Sequence, residues 1–319
     1  MIFTAYYMHR LDPVIFKLTD SIQFRWYGLA YVAGFVAGYY LLRWWARRGI
    51  GELKESQVAD FLTYAALFGV LLGGRLGYML LYDTKNFFAN PLTFFHVTDG
   101  GMSSHGGIAG LFFFTLYWSR TRKQSWTGLG DNLVVAAPLG LFFGRLANFI
   151  NGELYGRATD VSWAMKFPEE ATTWRPGHDR WDALQAMLVN HVPEGEAVNE
   201  TIKHLARTDD AFAAQLSELL TPRHPSQLYA AALEGLLLFI ILFIVREIWP
   251  RAPHGLLTAL FFLLYAVFRI TDEFYREPAD HIMGLTEGQF YSVFMILVGV
   301  VFLVFALRQA QHRKPESVQ

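Results

Sequence analysis

Seven long apolar stretches constrain the fold of this chain more than any other feature of its sequence. A helix needs about 20 residues to cross the hydrocarbon core of a bilayer, and all but the third stretch approach or exceed that length. A soluble all-α protein is a weak alternative, because it would have to bury every one of these runs. The stretches are residues 24–45, 58–82, 104–119, 132–150, 228–249, 255–275 and 288–307.

The composition agrees with a membrane protein. Hydrophobic residues make up 53% of the chain and charged residues only 17%, which is less charge than the surface of a soluble domain needs. The net charge of -1 provides no basic field, so we expect no nucleic-acid partner. The absence of cysteine excludes disulfides, thiolate metal sites and a cysteine nucleophile supplied by this chain.

Lysine and arginine in the short loops predict the orientation of the chain in the membrane. Loops on one side carry 12 of these residues and loops on the other side carry 5. Because cytoplasmic loops are enriched in Lys and Arg, the richer side is predicted to be cytoplasmic. The N-terminus is then periplasmic and the C-terminus cytoplasmic.

The predicted fold is an all-α, polytopic membrane protein with about seven transmembrane helices and a small periplasmic head domain. The only long connection between apolar stretches forms the head. The predicted segments are a periplasmic interfacial arm at 1–23, transmembrane helices 1–4 at 24–156, the head domain at 157–223, transmembrane helices 5–7 at 224–308 and a cytoplasmic tail at 309–319.

Charged residues occur within the apolar stretches, where they are costly unless they face a protein interior or a wet cavity. Most of them fall at the outer ends of the predicted spans, which predicts a polar cavity open to the outer leaflet. The charged residues are Asp60, Arg75, Arg145, Glu153, Glu234, Arg269, Asp272 and Glu273.

Arg145 and Arg269 make this cavity a candidate phosphate site. A guanidinium group matches phosphate oxygens bidentately and stays charged. Arg269 and Glu273 are four residues apart and can share one helix face. The alternative is that these residues form structural ion bridges between helices, and the sequence leaves both readings open.

His105 lies in the segment MSSHGGIAG, among glycines that let another backbone or a lipid headgroup approach closely. A histidine at the mouth of such a cavity is a candidate proton acceptor. The alternative is an ordinary polar residue with its hydrogen bonds satisfied. No zinc, nucleophile-elbow or Walker motif occurs, so we expect neither a metal nor a cofactor.

The segment GRLANFINGELYG at 144–156 resembles the signature of prolipoprotein diacylglyceryl transferases. Ala147 departs mildly from the family pattern, at a position often held by Gly. Further segments are similar to family motifs and follow in the same order: WYGLAY at 26–31, SSHGGIAG at 103–110, RHPSQLYAA at 223–231 and FRITDEFYREPAD at 268–280.

The resemblance implies an enzyme of the bacterial inner membrane that catalyses the first step of lipoprotein maturation. Its donor would be phosphatidylglycerol, a membrane lipid, and its acceptor the lipobox cysteine thiol of a preprolipoprotein. Glycerol phosphate would leave. The implied catalytic residues are His105, Arg145, Glu153, Arg269 and Glu273. The implied substrate-binding residues are Tyr27, Asn148, Asn151, Gly156 and Tyr229.

The chemistry of these side chains indicates their roles. Arg145 and Arg269 would hold the phosphate and stabilise the leaving group. His105 is the candidate base for the thiol, with Glu153 or Glu273 as alternatives. The remaining roles are hydrogen bonds to headgroup or ester oxygens from Asn148 and Tyr27, and room for lipid or peptide at Gly156.

Two other classes of function compete with this interpretation. A transporter or channel with an outward vestibule would need a polar path to the cytoplasmic side, where Asp60 is the clearest charge. A non-catalytic lipid-binding membrane protein would use the arginines to hold a structural anionic lipid.

Overall fold

The computed structural model describes residues 6–19, 22–96, 100–189, 191, 198–277 and 281–312, and these are mostly helical. Short 3₁₀ turns occur at Pro91–Phe95 and Pro168–Thr173. The helices are α1 (Trp26–Arg47), α2 (Glu55–Leu81), α3 (Thr84–Ala89), α4 (Ser104–Arg122), α5 (Trp126–Asn151), α6 (Trp181–Leu188), α7 (Val198–Thr208), α8 (Asp210–Leu219), α9 (Ser226–Ile248), α10 (Leu256–Glu273) and α11 (Glu287–His312).

Each of the seven apolar stretches lies largely or wholly in one of these helices. By length and composition, four helices within the described ranges could cross a membrane: α2, α5, α9 and α11. This agrees with a polytopic membrane protein. Crossing by α1, α4 and α10 stays a prediction.

Short β-strands depart from the all-α prediction. β1 (Tyr7–Met8) pairs in parallel with β4 (Met165–Lys166), so the N-terminal arm is joined to the predicted head segment. β2 (Val14–Lys17) and β3 (Gln23–Arg25) form an antiparallel hairpin, in which the rings of Phe16 and Phe24 stack at 4.4 Å. The remaining pair is β5 (His281–Ile282) with β6 (Leu285–Thr286).

The chain divides into two compact units. The first consists of Met1–Gly34, Pro138–Leu238 and Leu264–Ile296, and the second of Phe35–Ala137, Phe239–Leu263 and Leu297–Gln319. In the first unit, α6, α7 and α8 share a hydrophobic core that includes Leu184, Ile202 and Leu216. This core gives the predicted head segment an interior of its own.

In the second unit, glycines bring α2 and α4 into backbone contact. A Cβ added at Gly106 would lie 2.7 Å from Gly77 Cα, and one at Gly73 would lie 2.8 Å from Gly110 Cα. Small residues spaced by four allow this close approach of two helices in a membrane. The sequence left open whether another backbone or a lipid headgroup approaches the glycines around His105. In the structure, the backbone of α2 does so.

Arg75 of α2 is buried and serves the neighbouring irregular segment. Its guanidinium donates hydrogen bonds to five backbone carbonyls, which ties this segment to α2. Arg75 is therefore a structural residue. The acceptors are the carbonyls of Thr93 at 2.6 Å, His96 at 2.9 Å, Phe94 at 3.0 Å, Gly101 at 3.1 Å and Gly100.

Candidate active site

The centre of the candidate site is a buried carboxylate between two arginines of the first unit. Arg145 Nη2, on α5, donates to Glu234 Oε2, on α9, at 3.1 Å. Arg269 Nη1, on α10, lies 3.5 Å from Glu234 Oε1. Because the Glu234 side chain is 0% exposed, it needs both cations as compensation.

The end of α10 adds further charges around Arg269. Arg269 Nη2 lies 2.5 Å from Glu273 Oε1, as the four-residue spacing predicts. Arg276 Nε lies 3.7 Å from the same oxygen, and its Nη1 lies 3.8 Å from Asp272 Oδ2. We call Arg145, Glu234, Arg269, Asp272, Glu273 and Arg276 the arginine cluster. It contains three arginines and three acidic residues.

Local backbone features of α9 place Glu234 in this cluster. Glu234 lies in a π-helical stretch, Ala231–Leu237, within α9. Such stretches are rare and frequently accompany functional sites. The adjacent Gly235 contacts α5, since a Cβ there would lie 2.7 Å from Phe142 Cα. The side chain of Glu234 is thereby brought within reach of Arg145.

A second cluster of polar side chains lies at the C-terminal end of α5. Asn148 Nδ2 donates to Glu153 Oε1 at 2.7 Å, and Asn151 Nδ2 approaches the same oxygen at 3.4 Å. Gln227 Nε2 donates to the Glu153 carbonyl at 2.7 Å. The structure therefore brings together three residues of the signature segment, with Glu153 as the shared acceptor.

Gly156 lies in a backbone seam. Its N–H donates to the His224 carbonyl at 2.8 Å, and the next residue, Arg157, donates to the Tyr275 carbonyl at 2.8 Å. A Cβ at Gly156 would lie 2.8 Å from the His224 carbonyl oxygen. Backbone packing alone thus demands glycine here. Room for lipid or peptide at Gly156 stays a prediction.

Tyr229 is part of an aromatic group near the start of α9. Its hydroxyl accepts from Trp163 Nε1 at 2.7 Å and lies 3.2 Å from His224 Nδ1. Since an indole N–H can only donate, the Tyr229 proton is free to point at His224 Nδ1.

Tyr27 and His105 lie in different units. Tyr27, on α1, belongs to the same unit as the arginine cluster, and its ring packs against Tyr31 at 5.2 Å. His105 lies in the first turn of α4 in the second unit, next to Ser103, whose hydroxyl accepts from the Gly106 N–H at 3.2 Å. The catalytic role of His105 stays a prediction.

The arginine cluster and the side chains that contact it include residues that the sequence did not assign to the site. Glu234 was recognised only as a costly charge, and its partners were unknown. Tyr265 lies four residues before Arg269, and its hydroxyl donates to Glu234 Oε2 at 3.5 Å. Arg276 follows Glu273 by three residues. The signal for Tyr265 and Arg276 was their spacing, four residues from Arg269 and three residues from Glu273.

Within the described ranges, no group of three or more His, Cys, Asp or Glu side chains is arranged to hold a metal ion.

Comparison with known proteins identifies similar sequences. The family profile described as prolipoprotein diacylglyceryl transferase matches residues 13–305. A Bdellovibrio bacteriovorus protein is 38% identical, over 97% of this chain and 96% of its own length. Proteins of Coxiella burnetii and Azospirillum brasilense are 38% and 41% identical, over 96% and 94% of this chain and 99% and 96% of their own lengths. All three are named phosphatidylglycerol–prolipoprotein diacylglyceryl transferase.

Proposed function

The chain belongs to the prolipoprotein diacylglyceryl transferase family, and from this premise we propose that its arginine cluster holds the phosphate of the lipid donor. The chain is a transferase that moves the diacylglyceryl group from phosphatidylglycerol to a prolipoprotein. The acceptor atom is the thiol sulfur of a lipobox cysteine. The chain's own lack of cysteine is compatible with a nucleophile that arrives with the substrate.

The bond changes define what the site must do. The sulfur forms a bond to the glyceryl carbon that carries the phosphate ester, and the carbon–oxygen bond to the phosphate breaks. Glycerol phosphate leaves with the electron pair of that bond. The thiol proton passes to a base. The protein must therefore stabilise charge on the departing phosphate and accept one proton.

One observation supports the phosphate role above all others. Nitrogen atoms of Arg145 and Arg269, from two different helices, approach the two oxygens of a single carboxylate at 3.1 and 3.5 Å. The two guanidinium groups are thus close enough for one carboxylate to contact both. Two oxygens of one phosphate can span the same separation. The Glu234 bridge is the structural ion bridge that the sequence left open. It also preorganises the two arginines.

We assign the thiol proton to His105, with Glu153 or Glu273 as alternatives. Glu153 already accepts from Asn148, and Glu273 is paired with Arg269. The carboxylates of both glutamates therefore already engage other side chains. Tyr27, Asn148, Asn151, Gly156 and Tyr229 are proposed to contact donor or acceptor around this chemistry.

The setting of the reaction is the bacterial inner membrane. We propose seven crossings, by α1, α2, α4, α5, α9, α10 and α11, with a periplasmic N-terminus and head and a cytoplasmic C-terminus. The asymmetry of 12 to 5 basic loop residues supports this orientation. The predicted arm at 1–23, head at 157–223 and tail at 309–319 are part of the same proposal.

Replacement of either arginine tests the phosphate role. We expect Arg145→Ala and Arg269→Ala each to lose most transfer from phosphatidylglycerol vesicles to a lipobox peptide. Lysine at either position should restore only part of the rate, because it cannot bind bidentately. Arg47→Ala is the matched control. The Arg47 side chain is 56% exposed and pairs with Glu55 at the surface, where such pairs contribute little.

Full activity in both alanine variants would leave the arginines as structural bridges and contradict the proposal. Inactive variants with a lowered unfolding temperature would show loss of the fold instead. Transport or lipid retention without transfer by the wild-type chain would favour the two competing functions.

The base assignment predicts a pH-dependent defect. His105→Gln should lower the transfer rate by about 10²- to 10⁴-fold while phosphatidylglycerol binding persists. The defect should shrink as pH rises towards the pKa of the thiol, where thiolate forms without a base. The measurement is rate against pH at saturating lipid. A defect of the same factor at every pH would refute the assignment.

A further inference from the structure

Gly288, in the first turn of α11, touches the Arg269–Glu273 ion pair. Residue 288 is buried. A Cβ added there would lie 2.6 Å from Glu273 Cδ and 2.8 Å from Arg269 Nε, whereas ordinary contacts begin at 3.4 Å. The ion pair therefore occupies the space that any other side chain at this position would need.

The atoms in this contact distinguish Gly288 from two other closely packed glycines of the first unit, Gly156 and Gly235. At Gly156 and Gly235 an added Cβ meets backbone atoms, namely the His224 carbonyl oxygen and Phe142 Cα. At Gly288 the nearest atoms belong to two long side chains. A methyl group there can be accommodated by rotating these side chains, without separating helices.

The place of the Arg269 guanidinium depends on this contact. Arg269 lies between Glu234, 3.5 Å from its Nη1, and Glu273, 2.5 Å from its Nη2. Movement of Glu273 away from position 288 takes Nη2 with it. Arg269 Nε is itself within reach of the added methyl. Both effects displace the guanidinium from the position that it shares with Arg145.

We propose that Gly288 is a positioning residue for the transfer reaction. The first turn of α11 forms the wall behind Arg269 and Glu273, and the missing side chain at 288 fixes where Arg269 meets the phosphate of the donor. This inference rests on the proposed function of Arg269. It assigns to α11 a part in the site through a residue that has no side chain.

Gly288→Ala in the full-length protein tests the inference. With vesicles containing phosphatidylglycerol and a lipobox peptide, kcat/KM should fall about 10- to 100-fold, the scale expected for misplacement of a catalytic group by about 1 Å. Phosphatidylglycerol binding should weaken in parallel. The unfolding temperature should stay close to that of the wild type, because only side chains move.

Gly299→Ala is the matched control on the same helix. Its added Cβ would lie 2.8 Å from Leu263 Cγ, so it also crowds a side chain. It should retain the wild-type rate. Glu273→Asp in the Gly288→Ala background shortens the displaced side chain by one methylene and should recover part of the lost rate.

Three results would overturn the inference. The first is a Gly288→Ala rate equal to that of Gly299→Ala. The second is an unfolded Gly288→Ala variant, which would show that the added methyl group displaces the backbone and not the side chains of the ion pair. The third is a double variant slower than Gly288→Ala. Absence of transfer by the wild-type chain would refute the proposed function instead, and phosphatidylglycerol binding would then decide the role of Gly288.

Discussion

His9 is a buried imidazole in a largely apolar surrounding of the first unit. Its side chain stacks on Phe167 at 5.4 Å and meets Phe149 edge-on at 5.2 Å. Its Nε2 makes no hydrogen bond with the described residues. Burial disfavours the charged ring and lowers the pKa of His9 from 6.5 to about 4.

This pKa shift predicts that acid weakens the fold. Between about pH 6.5 and 4 the unfolded chain binds a proton at His9 that the folded chain does not bind. The stabilisation is therefore complete above 6.5 and is lost as pH falls towards 4, by at most about 3 kcal/mol. His9→Gln should show a smaller loss of unfolding temperature than wild type between pH 7.5 and 5.

The exposed His204 of α7 provides the control for His9. His204→Gln makes the same substitution at an exposed position and should keep the pH dependence of the wild type. Equal pH dependence in His9→Gln and wild type would show that His9 does not contribute to acid sensitivity.

Sequence reasoning located individual residues well where the relation was local. The Arg269–Glu273 pair followed from four-residue spacing, and Asn148 and Glu153 from one signature segment. The partner of Arg145 did not follow, because Glu234 is 89 residues away along the chain. The packing of Gly156 and Gly288 was also hidden, since a glycine carries no sign of what its missing side chain would meet.

Close contact between α2 and α4 gives a prediction for two adjacent glycines. Gly106→Ala should lower the unfolding temperature, because its Cβ would lie 2.7 Å from Gly77 Cα and force the helices apart. Gly107→Ala should be tolerated, because the atom nearest to its added Cβ, the Val70 carbonyl oxygen, lies 3.7 Å away. Thermal unfolding of both variants in detergent measures the difference.

The Gly107 variant controls for the change in helix propensity, which is the same at both positions. Equal unfolding temperatures for the two variants would refute the close helix contact.

Elements were predictable to the extent that hydrophobicity specifies them. Long apolar runs demand helices in a membrane, because the backbone must satisfy its own hydrogen bonds. The β2–β3 hairpin was not predicted, because its strands have four and three residues, too few to establish an alternating pattern of hydrophobicity. The π-helical stretches were also not predicted, since they depend on side-chain packing and not on composition.

For the whole molecule, the orientation in the membrane is open to direct measurement. A reporter that is active only in the periplasm should be active when fused after Val189 and silent when fused after His312. The asymmetry of basic loop residues is the physical reason. A reporter of opposite compartment, active only in the cytoplasm, controls for expression and should give the complementary pattern. The reverse result would place the candidate site in the other leaflet.

The π-helical stretches also bear on how this chain tolerates changes in length. In the stretches Ala65–Leu72 and Ala231–Leu237, hydrogen bonds skip one residue more than in an α-helix. Deletion of one residue there can restore α-helical bonding and leave the helix continuous. In α9 the deletion would turn Glu234 relative to the residues on either side of the stretch. A homologous chain with one residue fewer in the stretch that corresponds to Ala231–Leu237 would keep a continuous helix, but the carboxylate that corresponds to Glu234 would point in a different direction.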